Sequence, residues 1–182
     1  MGDAADPVDG TPVHGSLVHG SLVHGSLVHG SPVSPVDGTS AAARPGAVPP
    51  DAAVRDRLTV EKNVWLCTVR PDGSPHVTPV WFVFLRGSWW IGADGGSVKV
   101  RNIERFARVS LALEDGRSPV VAEGTAVVRR GPFPADLADL ADVTEAFAAK
   151  YGWDVTAPHR PGETRVLLEV PVRRWLLAGT AQ

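Results

Sequence analysis

All twelve aromatic residues of this 182-residue chain lie beyond residue 50, and that break constrains the fold more than any other feature. A segment without Phe, Trp or Tyr has little from which to build a core. Residues 1–50 hold 8 Gly and 7 Pro instead, without a collagen period. This composition predicts a disordered tail. Its four Asp against Arg44 make it acidic. Inside it HGSLV recurs at His14, His19 and His24, and HGSPV begins at His29. A five-residue period turns successive His around a helix and alternates them on a strand. Gly in every unit leaves the imidazoles unorganised, so the repeat reads as low complexity more readily than as a metal-binding tract. A single domain is therefore expected over residues 51–182, long enough for one core.

The charge balance narrows the partners. Lys+Arg total 18 and Asp+Glu total 20, giving −2. Nucleic acid and anionic membranes select a basic excess, so neither is expected. No apolar run is long enough to span a bilayer. Asp3, Asp6 and Asp9 stand where a signal peptide carries Lys or Arg, so the expectation is a cytoplasmic protein. Cys67 is the only cysteine, which excludes an intramolecular disulfide and a cysteine-based zinc cluster. In its apolar strand it reads as a small buried hydrophobe.

Within the domain, turn chemistry sets the element order. Asp51 reads as the N-cap of a helix to Leu58. Asn63–Arg70 is a strand, Pro71-Asp72-Gly73 a turn, and Ser74–Leu85 the returning strand. Pro79 cannot donate to a ladder, so this strand has an edge or a bulge there, with backbone free to meet a ligand. A turn at Arg86-Gly87 leads to the strand Ser88–Ala93. Ser97 then caps a helix to Phe106, with Val98, Ile103 and Phe106 as its expected buried face. Arg108–Glu114 and Val120–Arg130 are strands. Pro134–Tyr151 is a helix on the spacing of Leu137, Leu140, Val143 and Phe147. Thr164–Val170 and Arg174–Leu177 close the fold as two strands. Short strands with frequent turns indicate a mainly β, antiparallel barrel. No dinucleotide fingerprint, nucleophile elbow, zinc-protease motif or P-loop is present.

Two segments carry chemistry. Gly95-Gly96-Ser97 runs into a helix whose free N–H groups favour an anion, and Lys99, Arg101 and Asn102 add donors. Lys99 is one of only three lysines. Thr78, Pro79, Val80 and Trp81 set irregular backbone beside large aromatics, which suits the edge of a flat ring. Of Trp89-Trp90, alternation sends one to the core and the other to an interface. Trp175 is expected in the core or over a partner's site. Glu123 reads as an edge charge or a dimer contact. His76 has the chemistry of a proton donor, but no catalytic residue is assigned and no metal is expected.

Together, R-P-D-G-S-P-H-V-T-P-V-W-F from Arg70, G-S-x-K-x-R-N-I from Gly96, R-V-S-L-A-L from Arg108 and V-A-E-G-T-A-V from Val121 resemble the FMN-binding split-barrel family. This is the pyridoxamine 5′-phosphate oxidase-like superfamily, and the likeness is greatest to its actinobacterial flavin- and deazaflavin-dependent branch. Lys150–Asp154 (KYGWD) is similar to the biliverdin-reducing members of that branch. The resemblance implies a six-stranded Greek-key split barrel that dimerises with its cofactor at the interface. It implies that Thr78–Trp81 line the ring, and that Ser97, Lys99, Arg101 and Asn102 belong to the phosphate motif. Val98 stands where the oxidase proper has Arg, Thr78 where it has another, and Ala93 where a Thr is common. These departures argue against pyridoxamine phosphate oxidation and fit coenzyme F420 better than FMN. The expected activity is hydride transfer between coenzyme F420 or FMN and a flat conjugated molecule. The alternatives are an FMN-dependent oxidase or reductase using oxygen or a nicotinamide, and a non-catalytic flavin- or haem-binding module.

Overall fold

A computed structural model of the chain describes residues 51–133, 139–158 and 160–178. The expected tail with its pentapeptide repeat, and residues 134–138 of the expected third helix, lie outside these. The described residues form α1 (Ala52–Val60), β1 (Asn63–Val69), β2 (Pro75–Trp81), β3 (Val83–Leu85), β4 (Ser88–Asp94), α2 (Val98–Arg105), β5 (Arg108–Leu113), β6 (Val120–Thr125), β7 (Val127–Arg130), α3 (Leu140–Tyr151) and β8 (Arg165–Ala178).

Local chemistry explains most boundaries. Asp51 caps α1, its carboxylate accepting the Val54 N–H at 2.8 Å. Val54 and Leu58, one turn apart, are the buried face of that helix. Gly73 closes the first hairpin at φ +84 and donates to the Arg70 carbonyl at 2.9 Å. Arg86 and Gly87 both have positive φ, as a tight turn between twisted strands requires. Gly152 ends α3 at φ 67.

The ladder runs β2-β1-β5-β6-β8-β4-β3, antiparallel throughout, with β7 also on β8. Its two ends, β2 and β3, are halves of one bent strand, broken at Phe82. Likewise β6 and β7 are one strand bent at Ala126. Counting each bent pair once, the eight strands become six, and the sheet curls back onto its first strand as a split barrel. The connection from β4 to β5 carries α2 and skips to the far side of β1, which gives the Greek-key path. The expected pair of closing strands is one, β8, which pairs β4 and β7 through its first half and β6 through its second.

Two apolar clusters result. The barrel interior holds Leu66, Phe82, Trp89, Ile91, Leu111 and Leu168. A smaller core outside the barrel holds Val83, Trp90, Val143, Phe147, Val155 and Leu167 under α3. Both Trp89 and Trp90 are therefore buried, and Trp90 is covered by this chain's own helix where an interface was expected. Trp175 packs against the interior beside Phe84 and Trp89. Three further expectations are corrected. Of the expected face of α2 Ile103 is buried, but Val98 and Phe106 are exposed, because the helix turns Val100 and Asn102 inward beside Ile103. Cys67 faces out of the barrel and is only half-buried. Glu123 lies inside the sheet and pairs with Arg174 at 2.8 Å, so it is not an edge charge.

Candidate functional site

The bend at Phe82 opens the site. β3 pairs with β4 in a register that sets Val83 against Trp90. Extended past Phe82, the same register would set Trp81 opposite Gly92, Thr78 opposite Gly95 and His76 opposite Ser97. None of these pairs forms, because β2 pairs with β1 alone. The candidate cleft is the space between the outer edge of β2, left without a ladder partner, and the segment running from β4 into α2. Pro79 sits on that edge, as expected, but its register with Trp65 is regular and no bulge marks it.

Tyr151 holds the bend in place of the missing ladder. Its hydroxyl accepts the Phe82 N–H at 3.0 Å and lies 2.8 Å from the Phe82 and Lys62 carbonyl oxygens, to which it can donate. The hydroxyl thus takes up the Phe82 N–H that the strand break would orphan, and its single proton is shared between the two carbonyls. Burial pushes its pKa up to about 12. Its ring stacks on Trp81, with centroids 4.7 Å apart and planes 8° from parallel. Trp153 meets Trp81 edge-on at 5.9 Å. The Arg165 guanidinium lies 4.2 Å from the Trp153 ring centre. Gly92 lies beneath, and a Cβ there would stand 2.8 Å from Arg165 Nη2 and 3.3 Å from the Trp153 ring.

At the other end of the cleft stands the head of α2. Ser97 occupies the N-cap position, but its hydroxyl makes no capping bond. Ser97 Oγ is buried without a hydrogen-bond partner among the described residues. Lys99 is half-buried, and its ammonium has no hydrogen bond or ion pair to a described residue. Burial lowers its pKa, Asp94 opposes that shift and Arg165 adds to it. Asp94 Oδ1 accepts the Gly96 N–H at 3.3 Å. Arg101 turns back onto the Gly96 carbonyl. Asn102 is buried and its amide donates to Thr68 Oγ1 at 3.0 Å, which ties α2 to β1. His76 stands near Thr68, its Nδ1 3.4 Å from the hydroxyl. Its pKa is lowered by burial first, then by Arg70 and Lys99.

The expected residues thus lie on either side of the missing ladder, with Thr78–Trp81 on the open edge of β2, where the Val80 side chain turns into the barrel core, and Ser97 and Lys99 at the head of α2. The Thr78 hydroxyl reaches only the neighbouring Pro79 carbonyl, at 3.4 Å. Sequence reasoning missed Arg165 and the side chains of Tyr151 and Trp153 as parts of this wall. For the last two the signal was the KYGWD segment. For Arg165 there was none, because its neighbours Asp94 and Val155 come from other elements.

The pyridoxamine 5′-phosphate oxidase family matches this chain over residues 50–178. The chain belongs to that family. An F420H2-dependent biliverdin reductase of Mycobacterium tuberculosis is 32% identical to this chain over 113 residues, which cover 61% of this chain and 75% of the relative. Among solved structures, a conserved hypothetical protein of the same organism is 26% identical at a TM-score of 0.53, covering 74% of this chain and 89% of its own. HutZ, a haem storage protein of Vibrio cholerae, superposes at a TM-score of 0.55 and 17% identity, over 71% of this chain and 94% of its own. At that identity the likeness concerns the fold alone. Among the described residues, no helix is long and apolar enough to cross a membrane.

Proposed function

We propose that this family member is an oxidoreductase that binds coenzyme F420 or FMN in the β2–α2 cleft and acts on a flat conjugated small molecule. The observation that carries the reading is the pair of unpartnered donors at the head of α2, Ser97 Oγ and the Lys99 ammonium. A buried hydroxyl without a partner and a half-desolvated cation are each unfavourable alone and favourable around an anion. Gly95 and Gly96 bring backbone close to the same point, and the first-turn amides of α2 lack partners within their own helix. These residues fit a phosphate group.

A bound flavin or deazaflavin supplies the hydride chemistry itself. What the protein contributes is position and electrostatics. Ser97 and Lys99 hold the phosphate end. Arg101 and Asn102 act behind them, Arg101 by fixing the glycine turn and Asn102 by anchoring α2 to Thr68. The open edge of β2 from Thr78 through Pro79 to Trp81 forms the wall along the ring, with Val80 lending backbone alone because its side chain lies in the core, and Tyr151 stiffens it. The biliverdin-reducing relative supports a conjugated substrate of similar shape. We also propose a homodimer with the cofactor at its interface, because the β1–β2 face beside the cleft exposes Trp65, Val77 and Trp81.

The test is a fluorescence titration of the full chain with coenzyme F420 and with FMN. Lys99→Ala is expected to weaken whichever cofactor binds by a factor of about 100, the loss of a charge-assisted contact. Unchanged binding in Lys99→Ala would refute the phosphate assignment. Binding of neither cofactor by the wild type would leave only the fold in common with the family.

A further inference from the structure

We propose that His76 is a further ligand of the anion at the head of α2, and that it takes up a proton as the anion binds. This rests on the cleft being a cofactor site, and it adds a residue and a proton to the binding step.

Strand alternation points the His76 ring at the helix. The Val80 side chain lies in the barrel core, so Thr78 and His76 share its side of β2, away from the exposed Val77 and Trp81. The register sets His76 against Thr68 on β1. Thr68 is wholly buried, and its Oγ1 lies 3.0 Å from Asn102 Nδ2 and 3.4 Å from His76 Nδ1. The imidazole and the Asn102 amide therefore meet on one hydroxyl, which seats the ring beside α2. Lys99 precedes Asn102 by one helical turn on the same face, nearer the head of α2.

The same hydroxyl sets the chemistry of the ring. Thr68 Oγ1 donates its proton to the His76 carbonyl at 3.3 Å and accepts from Asn102. Its second lone pair is left for Nδ1–H. Nδ1 then carries a proton in both charge states, and Nε2 is the nitrogen that titrates. Neutral, Nε2 presents a lone pair, which repels an anion. Protonated, it donates a charge-assisted hydrogen bond. The charges of this chain that act on the ring are positive, Arg70 after β1 and Lys99 on α2, and with burial they hold its pKa below the ordinary 6.5. Neither Asp72 of the hairpin turn nor Asp94 of the glycine turn acts on it. An anion seated by Ser97 and Lys99 supplies the missing counter-charge, and an opposite charge within about 4–6 Å shifts a pKa by about 1–3. Affinity therefore rises as pH falls through the bound value and levels off below the free one.

The experiment measures the affinity of full-length wild type and His76→Gln by fluorescence at pH 6, 7 and 8, with FMN, coenzyme F420 and riboflavin, which has the ring of FMN but no phosphate. Ionisations of the ligand are common to both proteins and cancel in the ratio of their dissociation constants. That ratio, variant over wild type, is expected to rise about tenfold from pH 8 to pH 6 for whichever phosphate-bearing cofactor binds, as uptake of one proton predicts, and to stay flat for riboflavin. A purely structural His76 would change affinity by one factor at every pH. A ratio independent of pH would thus overturn the proposal while leaving the cleft as a cofactor site. A riboflavin ratio that climbs as steeply would also overturn it, by moving the coupling from the phosphate to the ring. A wild type that binds neither FMN nor coenzyme F420 would overturn the cofactor reading and the proposal together. In proton NMR, the imidazole signal missing from His76→Gln should titrate about one pH unit higher, or more, in the cofactor complex than in the free protein. An unmoved midpoint would overturn the proposal. Should far-UV circular dichroism show His76→Gln unfolded, His76→Asn carries the same expectations.

Discussion

Gly124 shows how tightly single residues are set in this barrel. A Cβ there would stand 2.5 Å from Val170 Cγ1 and 2.6 Å from the Pro171 carbonyl oxygen. The second neighbour is backbone of β8, at the register shift where that strand changes partners. Gly124→Ala must therefore push strand against strand, and a loss of about 1–3 kcal/mol is expected in urea unfolding. At Gly92 a Cβ would meet the Val155 and Arg165 side chains, at 2.5 and 2.8 Å. Side chains can move, so Gly92→Ala should cost less stability and more at the cleft. Equal destabilisation of the two variants would contradict this. Neither close approach was legible, because what each glycine meets lies far along the chain. Ser97 and Lys99 were legible because a short motif fixes both. Asn102 was not, since the inward turn of its amide depends on Thr68, 34 residues away.

The elements were mostly legible, because Pro, Gly and Asp punctuate them locally. The bends at Phe82 and Ala126 were not, since each falls in an unbroken β-forming run. What bends the first is Tyr151, 69 residues away, acting with Lys150. Lys150 Nζ lies 3.8 Å from the Phe82 ring centre and donates to the Leu58 carbonyl at 3.1 Å. Burial, with the Lys62 charge beside it, pulls its pKa down to about 8, against the opposing effect of Glu61. Its ordinary value is 10.5, so between the two the unfolded chain binds more protons and stability rises with pH. Tyr151, raised from 10.0 to about 12, acts oppositely; above pH 10 the folded chain holds the phenol proton more tightly and stability falls. The contribution of this pair therefore peaks near pH 10. Urea midpoints of wild type are expected to rise from pH 8 to 10 relative to Lys150→Met. Parallel profiles would show that the desolvation of Lys150 has no effect on folding.

At the scale of the whole molecule, the proposed dimer turns on the face that the barrel leaves uncovered. On β1 and β2, Val64, Leu66 and Val80 point into the core, which sends the alternate residues outward. Those are Trp65, 41% exposed, Val77 at 53% and Trp81 at 48%, with Pro79 directly opposite Trp65. An apolar stripe with two tryptophans on one sheet face is uncommon on a monomer. Composition gave no hint of it, because alternation shows that residues share a face but not which face is covered. The stripe ends at Trp81, whose ring is stacked on Tyr151 at the mouth of the cleft. A partner seated on the stripe would therefore close the cleft as well as bury the tryptophans. Trp65→Glu tests the two together, because its side chain lies outside the barrel and the core below it is untouched. Light scattering behind size exclusion is expected to give a dimer for wild type and a monomer for Trp65→Glu, with cofactor affinity falling in the same variant. A wild-type monomer would remove the dimer, and a monomeric variant with undiminished affinity would separate the cleft from the interface.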